Sequence, residues 1–468
     1  MFPILALLIA LPIAFLVAET FLRDRYGTLL STASALISLI LVLALVYYAF
    51  TSGGISLSES YPFLAYLSVP FALRITPIPL MLLVMSSAII FVAALSSSFN
   101  NSGKKKRGFL LTLFQLSATG LFLSENLLLF FIFWDVGLVA SFFFISTLGS
   151  GNRKTASFKF LIYEIFASSM LLLSIMLLYT SPVHSLDLLT IQSSGSTIPI
   201  ATQQLIFVSM LLAFLVNMPV FPFHSWMPDA YVESPTTGTM LLSGILSKFG
   251  GFGSLLLFTI LPISKSMSGY TAVIASVSIF YALFVLIGQK DIKRALAYAS
   301  MLEMGIVLLG ISSMSTAGIN GAAYAMLSYG LIMALMFLDV GALFYVFGER
   351  DIRVLKGAIM QGRPIAYAFI FGVFAMVGTP LTSVFIGDLL VFLGSFSTFG
   401  LYGLVPLASI VILGAYFYYV IEKSIYGAKE HSSAIYGIDV LQRIGLSVLI
   451  FFILLFGFAP FIVFNFLK

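Results

Sequence analysis

Cysteine is absent from the 468 residues of this chain, and other residues that commonly hold metals are scarce. Without thiols the sequence excludes disulfides, thiolate metal sites and cysteine nucleophiles. The three histidines, His184, His224 and His431, are too scattered to suggest a histidine-rich metal site. We therefore expect no cofactor and no metal site in this chain, and we expect any redox chemistry to take place elsewhere.

Charge is also scarce, since Asp, Glu, Lys and Arg make up 9% of the residues whereas 60% are hydrophobic. Soluble globular domains are about 25% charged. Apolar runs of roughly 20 residues, enough to cross a bilayer, recur along the whole chain. The sequence predicts an all-α polytopic membrane protein, a single transmembrane domain over residues 1–468. Its spans, about 14 in number, lie near residues 2–22, 28–50, 77–97, 108–124, 126–148, 156–180, 202–223, 237–262, 269–288, 294–312, 317–347, 364–397, 401–421 and 444–467.

The short loops between these spans concentrate positive charge on one side. Lys and Arg collect in cytoplasmic loops, so the asymmetry predicts a multi-pass protein of the cell membrane with both termini outside. It also accounts for the net charge of +5, and a topology signal is a better explanation of the basic runs than nucleic-acid binding. Alternate loops hold 18 of the 23 basic residues: Arg23, Arg25, Lys104, Lys105, Lys106, Arg107, Arg153, Lys154, Lys290, Lys293, Arg294, Arg350, Arg353, Lys356, Arg363, Lys423, Lys429 and Arg443.

Two of the predicted spans contain helix breakers at matching positions. The seventh carries Pro219 and Pro222, and the twelfth carries Pro380 after Gly378. Proline removes a backbone hydrogen bond, and in a membrane such a gap must be buried in protein or line a wet cavity. Paired broken helices are typical of transporters built from inverted repeats. We predict two five-helix repeats, helices 4–8 over about 108–262 and helices 9–13 over about 269–421, although a single proline is also compatible with a plain kink.

Six ionisable residues lie well inside the predicted spans, whereas Glu19 and Lys159 lie near span ends, where their side chains can reach the membrane surface. A charge in mid-bilayer costs a few kcal/mol at least, so each such residue needs a structural or functional reason. One such residue is readily explained as a structural salt bridge; six on six helices favour a proton relay, in which neighbouring groups exchange protons. Ser157, Glu164 and Ser168 also share one face of a helix. The candidate relay residues are Asp135, Glu164, Lys248, Glu303, Asp339 and Asp388.

Several motifs resemble the antiporter-like subunits of complex I, most closely the subunit M type, and their relatives in Mrp antiporters and membrane-bound hydrogenases. The longest is FPFHSWMPDAYVESPTTGTMLLSGILSKFGGFG, which begins at Phe221 and contains Lys248. Others, in the same order as in the family, are FWD ending at Asp135, AYASMLEMG containing Glu303, GTPLTSVFIGD ending at Asp388, and GAYFYY from Gly414. The resemblance covers nearly the whole chain and implies the 14-helix inverted-repeat fold.

The resemblance implies a role for each of three relay residues. Asp135 corresponds to the carboxylate of the fifth helix, Lys248 to the central lysine of the eighth, and Asp388 to the ionisable group of the broken twelfth. Asn217 departs from the pattern, because the family has a lysine there that pairs with the fifth-helix carboxylate. Either Lys248 serves directly as the counter-charge of Asp135 or Glu164, or the inner half-channel is inactive.

The resemblance also implies supporting positions. Glu303 and Tyr329 stand where the family commonly has histidine or another polar residue. His224 and Asp229 belong to the loop that leads into the eighth helix, where His224 serves either in proton entry or in packing. Glu164 is additional to the common pattern.

Together these features predict a proton-translocating subunit of a complex I-type quinone oxidoreductase that does no redox chemistry itself. Its expected partners are other membrane subunits, the lipid bilayer and protons, with Na⁺ left open as the ion and no nucleic acid. The alternatives are a subunit of an Mrp-type cation/proton antiporter or a membrane-bound hydrogenase, and a structural membrane subunit whose transport has degenerated.

Overall fold

The structure, a computed structural model, describes residues 3–64, 69–97, 103–355, 357, 363–427 and 440–467. Lys356 and Lys429 of the basic loops, together with His431, lie outside the described residues. The helices and strands are α1 (Ile4–Phe21), α2 (Gly27–Ser52), β1 (Leu57–Leu64), β2 (Val69–Ile75), α3 (Pro77–Ser97), α4 (Lys104–Leu123), α5 (Leu127–Leu148), α6 (Arg153–Thr180), α7 (Leu188–Ser194), α8 (Ile200–Asn217), α9 (Met227–Glu233), α10 (Thr236–Leu241), α11 (Ser247–Ile260), α12 (Ser264–Ile287), α13 (Ile292–Ser312), α14 (Thr316–Phe347), α15 (Arg363–Met376), α16 (Ser383–Phe399), α17 (Val405–Val420), α18 (Val440–Phe458) and α19 (Phe461–Leu467).

The prediction of an all-α polytopic membrane protein is confirmed, since 12 helices of the described chain are long and apolar enough to cross a bilayer. The α4 helix, which begins with the basic run Lys104–Arg107, is not among them. The two halves of the predicted twelfth span also differ: α15 has 14 residues, about 21 Å of helix, whereas α16 continues through α17 to Ile425 as one 43-residue segment. The count of 14 spans and the inverted repeats stay predictions.

The central helices are buried on nearly every side. For α13 and for the segment from Thr236 to Ile260, 94% of the most apolar stretch is buried inside the protein, against 28% for α1. Peripheral helices instead expose large apolar side chains such as Ile162 and Phe284, as expected where lipid is the solvent. The helices that carry Lys248 and Glu303 therefore lie in the interior of the helix assembly.

One element that the sequence did not predict is the antiparallel hairpin of β1 and β2, between α2 and α3. This segment lies between the second and third predicted spans. Glu59 of β1 accepts hydrogen bonds from the backbone amides of Leu5 and Ala6 at 3.0 and 2.9 Å. These amides have no partner within the first turn of a helix, so the hairpin caps the start of α1.

Both predicted helix interruptions are present. After α8 ends at Asn217, the chain is not helical again until Met227, and the Phe221–Pro222 peptide bond is cis. The second interruption separates α15 from α16, where Gly378 has a φ of 73°, a backbone conformation that glycine adopts without strain. The sequence did not predict a third irregularity, a π-helical segment at Leu242–Leu246 that joins α10 to α11.

Candidate functional site

Lys248 lies just after the π-helical segment and is completely buried. A π-helical turn disturbs the regular ladder of backbone hydrogen bonds, and such turns are frequent at functional sites. Here the Ser243 carbonyl accepts a hydrogen bond from Lys248 Nζ at 2.7 Å, and Ser247 Oγ accepts a second at 3.3 Å. The ammonium group is thus held by acceptors of its own helix.

The small residues Gly244 and Gly251 bring α14 close to this segment. A Cβ atom added at Gly244 would lie 3.2 Å from the carbonyl oxygen of Gly330, and one at Gly251 would lie 2.6 Å from the sulfur of Met326. Glycine at these positions therefore permits the close approach of two helix backbones. The approach places α14, which carries Tyr329 and Asp339, beside the helix of Lys248.

Asp135 and Glu164 form the first half of the candidate relay, between α5, α6 and α8. The Ser168 hydroxyl donates to Asp135 at 2.7 Å, so this serine of the predicted polar stripe serves the α5 carboxylate. Asn217 Nδ2 donates to both Glu164 oxygens at 3.4 Å, and its Oδ1 accepts from the Gly250 amide at 2.9 Å. Asn217 therefore connects the buried Glu164 to the helix of Lys248 without carrying a charge.

Neither carboxylate of this half has a cationic partner. Within the described chain, Asp135 and Glu164 form no ion pair, and Lys248 is hydrogen-bonded to neither of them. The two carboxylates instead interact electrostatically with each other. Lys248 is therefore not placed as their direct counter-charge in this structure.

Glu303, Tyr329 and Asp388 form the second half, on α13, α14 and α16. Glu303 interacts electrostatically with both Lys248 and Asp388. The Tyr329 hydroxyl donates a hydrogen bond to Asp388 Oδ1. In the described chain, both Glu303 oxygens and Asp388 Oδ2 have no hydrogen-bond partner, so they are available to exchange protons.

The Tyr329 hydrogen bond yields a first prediction. Because a hydrogen bond to a charged group contributes about 1.5–3 kcal/mol, Tyr329→Phe should slow proton release from Asp388 by roughly tenfold. Tyr324→Phe is the matched control, since this tyrosine of the same helix donates to the Phe456 carbonyl at 2.5 Å instead of to a relay residue. The measurement is proton transport by membrane vesicles that contain the native assembly, and equal rates for the two variants would contradict the assigned role.

Asp339 stands apart from the other five candidates. It is completely buried, and both of its oxygens lack a hydrogen-bond partner among the described residues. It follows Tyr329 by ten residues on the same helix, a rise of about 15 Å. The structure brings Asp135, Glu164, Lys248, Glu303 and Asp388 into a series but does not bring Asp339 into it.

His224 and Asp229 lie where the chain leaves the first interruption. Asp229 forms ion pairs with Lys159 at 2.9 Å and Arg294 at 3.1 Å. His224 packs against the ring of Tyr281, with 4.6 Å between centroids. Burial, together with the charge of Lys159, lowers the pKa of His224 to about 4, so the imidazole is neutral at pH 7.

Sequence reasoning assigned Lys293 to a loop, whereas its side chain is buried. Its Nζ donates to the carbonyl oxygens of Val232 at 3.1 Å and Ser234 at 2.6 Å. Lys293 thus binds the backbone at the end of α9, a structural role. Its position at the start of α13, next to Asp291, gave no signal that distinguishes it from an ordinary topology lysine.

The described residues contain no group of three or more His, Asp or Glu side chains that could hold a metal ion. The series instead consists of one amine, four carboxylates and their hydroxyl and amide partners on central helices. Such a set has the chemistry to accept and release protons, since each group holds or gives up a single proton.

Two solved structures share the fold of this chain. The first is respiratory complex I from Thermus thermophilus with bound NADH, with a TM-score of 0.88 and 22% identity over 97% of this chain and 96% of the matched chain. The second is the membrane-bound sulfane sulfur reductase, an archaeal respiratory membrane complex, with a TM-score of 0.87 and 21% identity over 98% and 96%.

Sequence comparison gives the family. The NADH-quinone oxidoreductase subunit M of Rickettsia felis is 35% identical over 347 residues, which cover 73% of this chain and 70% of the relative. The F(420)H(2) dehydrogenase subunit M of Methanosarcina mazei is 31% identical over 482 aligned positions, covering 98% and 95%. The family described as NADH:quinone oxidoreductase/Mrp antiporter, TM, matches residues 124–413, more than half of the chain. The chain therefore belongs to the NADH:quinone oxidoreductase/Mrp antiporter family of transmembrane proteins.

Proposed function

We propose that this chain is a proton-translocating, antiporter-like membrane subunit of a respiratory complex I-type quinone oxidoreductase. The names of its relatives support a place in such a complex. The observation that carries the transport function is the buried Lys248, which lies between the Asn217–Glu164 contact and the carboxylates Glu303 and Asp388. An isolated charge in mid-membrane is costly. Lys248 has polar or ionisable groups on both sides, the Asn217–Glu164 contact on one and the two carboxylates on the other.

Transport follows from the preference of a buried group for a partner of opposite charge. Protonated Lys248 is stabilised while Glu303 is ionised. When the proton passes from Lys248 to Glu303, both groups become neutral, and Glu303 can then pass the proton to Asp388. Asp388 lies beside the interruption between α15 and α16, where the irregular backbone offers a wet exit. The His224–Asp229 cluster is the corresponding entry on the side of the basic loops.

The energy for this cycle comes from a partner, because we assign this chain no cofactor and no redox step. A quinone reaction in a neighbouring subunit biases the protonation of the series through adjacent charged groups. The positions of the basic loops support an orientation in the cell membrane with both termini outside. The transported ion in this proposal is the proton. Na⁺ is a candidate ion only if the chain belongs to a cation/proton antiporter instead.

An antiporter or hydrogenase subunit is the second candidate, favoured by the family description, which includes Mrp antiporters. Purification of the native assembly through a tag on this chain separates the two. We expect quinone-reducing subunits to co-purify, together with proton transport driven by quinone reduction. Recovery of cation-antiporter or hydrogenase subunits instead would favour the second candidate, and assembly without any proton transport would favour a structural subunit.

A further inference from the structure

A cavity of about 620 Å³ opens at the end of the helix assembly that carries the basic loops. Five helices border it: the last turn of α3, the first turns of α4, α10 and α18, and the end of α14. Its volume is within the range of small-molecule sites, about 300–1,000 Å³. None of the candidate relay residues is among the described residues that line it, so the proposed function leaves this cavity unexplained.

Hydrogen-bond donors line the cavity at the level of the helix ends. Arg107 is buried, and its guanidinium donates to the Ser97 carbonyl at 3.2 Å. A guanidinium has five N–H donors, so it can serve several acceptors at once. Ser96 is 8% exposed, and its hydroxyl has no hydrogen-bond partner among the described residues. A buried hydroxyl without a partner is destabilising, so Ser96 needs an acceptor that the described chain does not supply.

The charge around the cavity is positive. Arg107 is one of its lining residues, and no acidic side chain is found among the described residues that line it. A second guanidinium, that of Arg350, lies 5.0 Å from the ring centre of Phe344, which forms part of the wall. Guanidinium groups match phosphate oxygens in charge and in geometry. The polar end of the cavity therefore fits a phosphate group.

Farther along α14 the wall of the cavity is apolar. Leu338 and Gly348 both line it, and the ten positions between them correspond to about 15 Å along a helix. Phe344, between the two, is 44% exposed, so this side of the cavity faces outward, where lipid is the solvent. A ligand that fills the cavity is therefore charged at one end and apolar at the other, as a phospholipid is and a free phosphate ion is not.

We propose that this cavity binds an anionic phospholipid from the leaflet on the side of the basic loops. The lipid phosphate accepts hydrogen bonds from Arg107 and the Ser96 hydroxyl, while an acyl chain lies against Leu338 and Phe344. Gln442 Oε1 also lines the cavity without a donor among the described residues, and a glycerol hydroxyl of phosphatidylglycerol supplies one. Basic pockets between membrane helices on the cytoplasmic side bind headgroups of this kind.

A lipid bound here contacts both the first helices of the chain and the segment of Lys248. Ser96 belongs to α3 and Arg107 to α4, whereas Thr236 and Thr237 of the cavity wall begin α10. From α10 the chain continues through the π-helical segment to Lys248. A ligand that binds only the folded protein stabilises it by mass action. Binding is therefore measurable as a rise in the unfolding temperature of the assembly.

The test uses the complete native assembly, purified in detergent, depleted of lipid and titrated with dioctanoyl phosphatidylglycerol. The measured quantity is the lipid concentration that gives half of the maximal rise in unfolding temperature. We expect Arg107→Gln to raise this concentration about tenfold, because it removes a charged partner of the phosphate. Ser96→Ala should raise it about threefold. This second variant removes no hydrogen bond within the described chain, so it tests the site even where the loss of Arg107 impairs assembly.

Lys106→Gln is the matched control. Lys106 precedes Arg107 in the same basic run, but it is exposed and does not line the cavity, so its titration should equal that of the native assembly. Dioctanoyl phosphatidylcholine and inorganic phosphate are compared at the same concentrations. Equal protection by either compound, or equal titrations of the Arg107, Ser96 and Lys106 variants, would overturn the lipid site. Proton transport is not part of this measurement, so either result leaves the proposed function unaffected.

Discussion

Lys248→Met is expected to lower proton transport by the intact complex on the order of 10²-fold, the loss typical of removing a positioned proton-transfer group. Methionine fills nearly the same volume as lysine, but it can neither hold a proton nor donate to the Ser243 carbonyl. Glu303 and the Asn217–Glu164 contact would then have no titratable group between them. Transport is measured as acidification in vesicles during quinone reduction, with assembly checked by co-purification of the other subunits.

Lys265→Met provides the matched control for this variant. Lys265 is exposed at the start of α12, outside the series, and its loss should leave transport unchanged. If Lys248→Met pumps as well as this control in a fully assembled complex, the relay does not pass through Lys248. The transport function would then have to be abandoned for the structural alternative.

Asn217→Lys is expected to raise transport roughly twofold, because it introduces a cation beside two carboxylates that have none. The new ammonium group would reach Glu164, which now receives only the weak donors of the amide at 3.4 Å. The new lysine and Glu164 would form a buried ion pair. The charge of this pair could then change when Lys248 gains or loses a proton. The Gly250 amide would lose its side-chain acceptor, at a cost of about 1–3 kcal/mol in stability.

Asn217→Met separates the effect of charge from the loss of the amide. It removes the same two contacts and adds no cation, so it should lower both the thermal stability of the complex and its transport. If both variants at Asn217 transport equally, the charge state of Glu164 has no influence on the series. The first half would then be inactive in the native protein.

The sequence was sufficient to predict the all-α membrane fold and the two helix interruptions. Hydropathy located the helices because burial in lipid is a property of each segment by itself, and Pro219, Pro222 and Pro380 indicated where helices are interrupted. The β1–β2 hairpin was missed because its stabilising contact, Glu59 with the start of α1, joins residues more than 50 positions apart.

The partners of the ionisable groups could not be predicted, because they depend on how the helices pack. Asn217 was recognised as a departure from the family pattern, but its dual contact with Glu164 and Gly250 required the structure. Asp339 appeared equivalent to the other acids in the sequence, since spacing along α14 does not reveal which neighbouring helix a side chain meets. The π-helical segment leaves no mark in composition or hydropathy.

That segment has a further consequence for the helix that contains it. Each residue of an α-helix advances the chain by about 100° around the axis, so the extra residue of a π-helical turn fixes an angular offset between the two ends. At the far end, Gly250 and Gly253 face Phe214 of α8. A deletion within Leu242–Leu246 would rotate these glycines about the helix axis, away from Phe214. The fold should therefore tolerate substitutions within Leu242–Leu246 better than a change in the length of this segment.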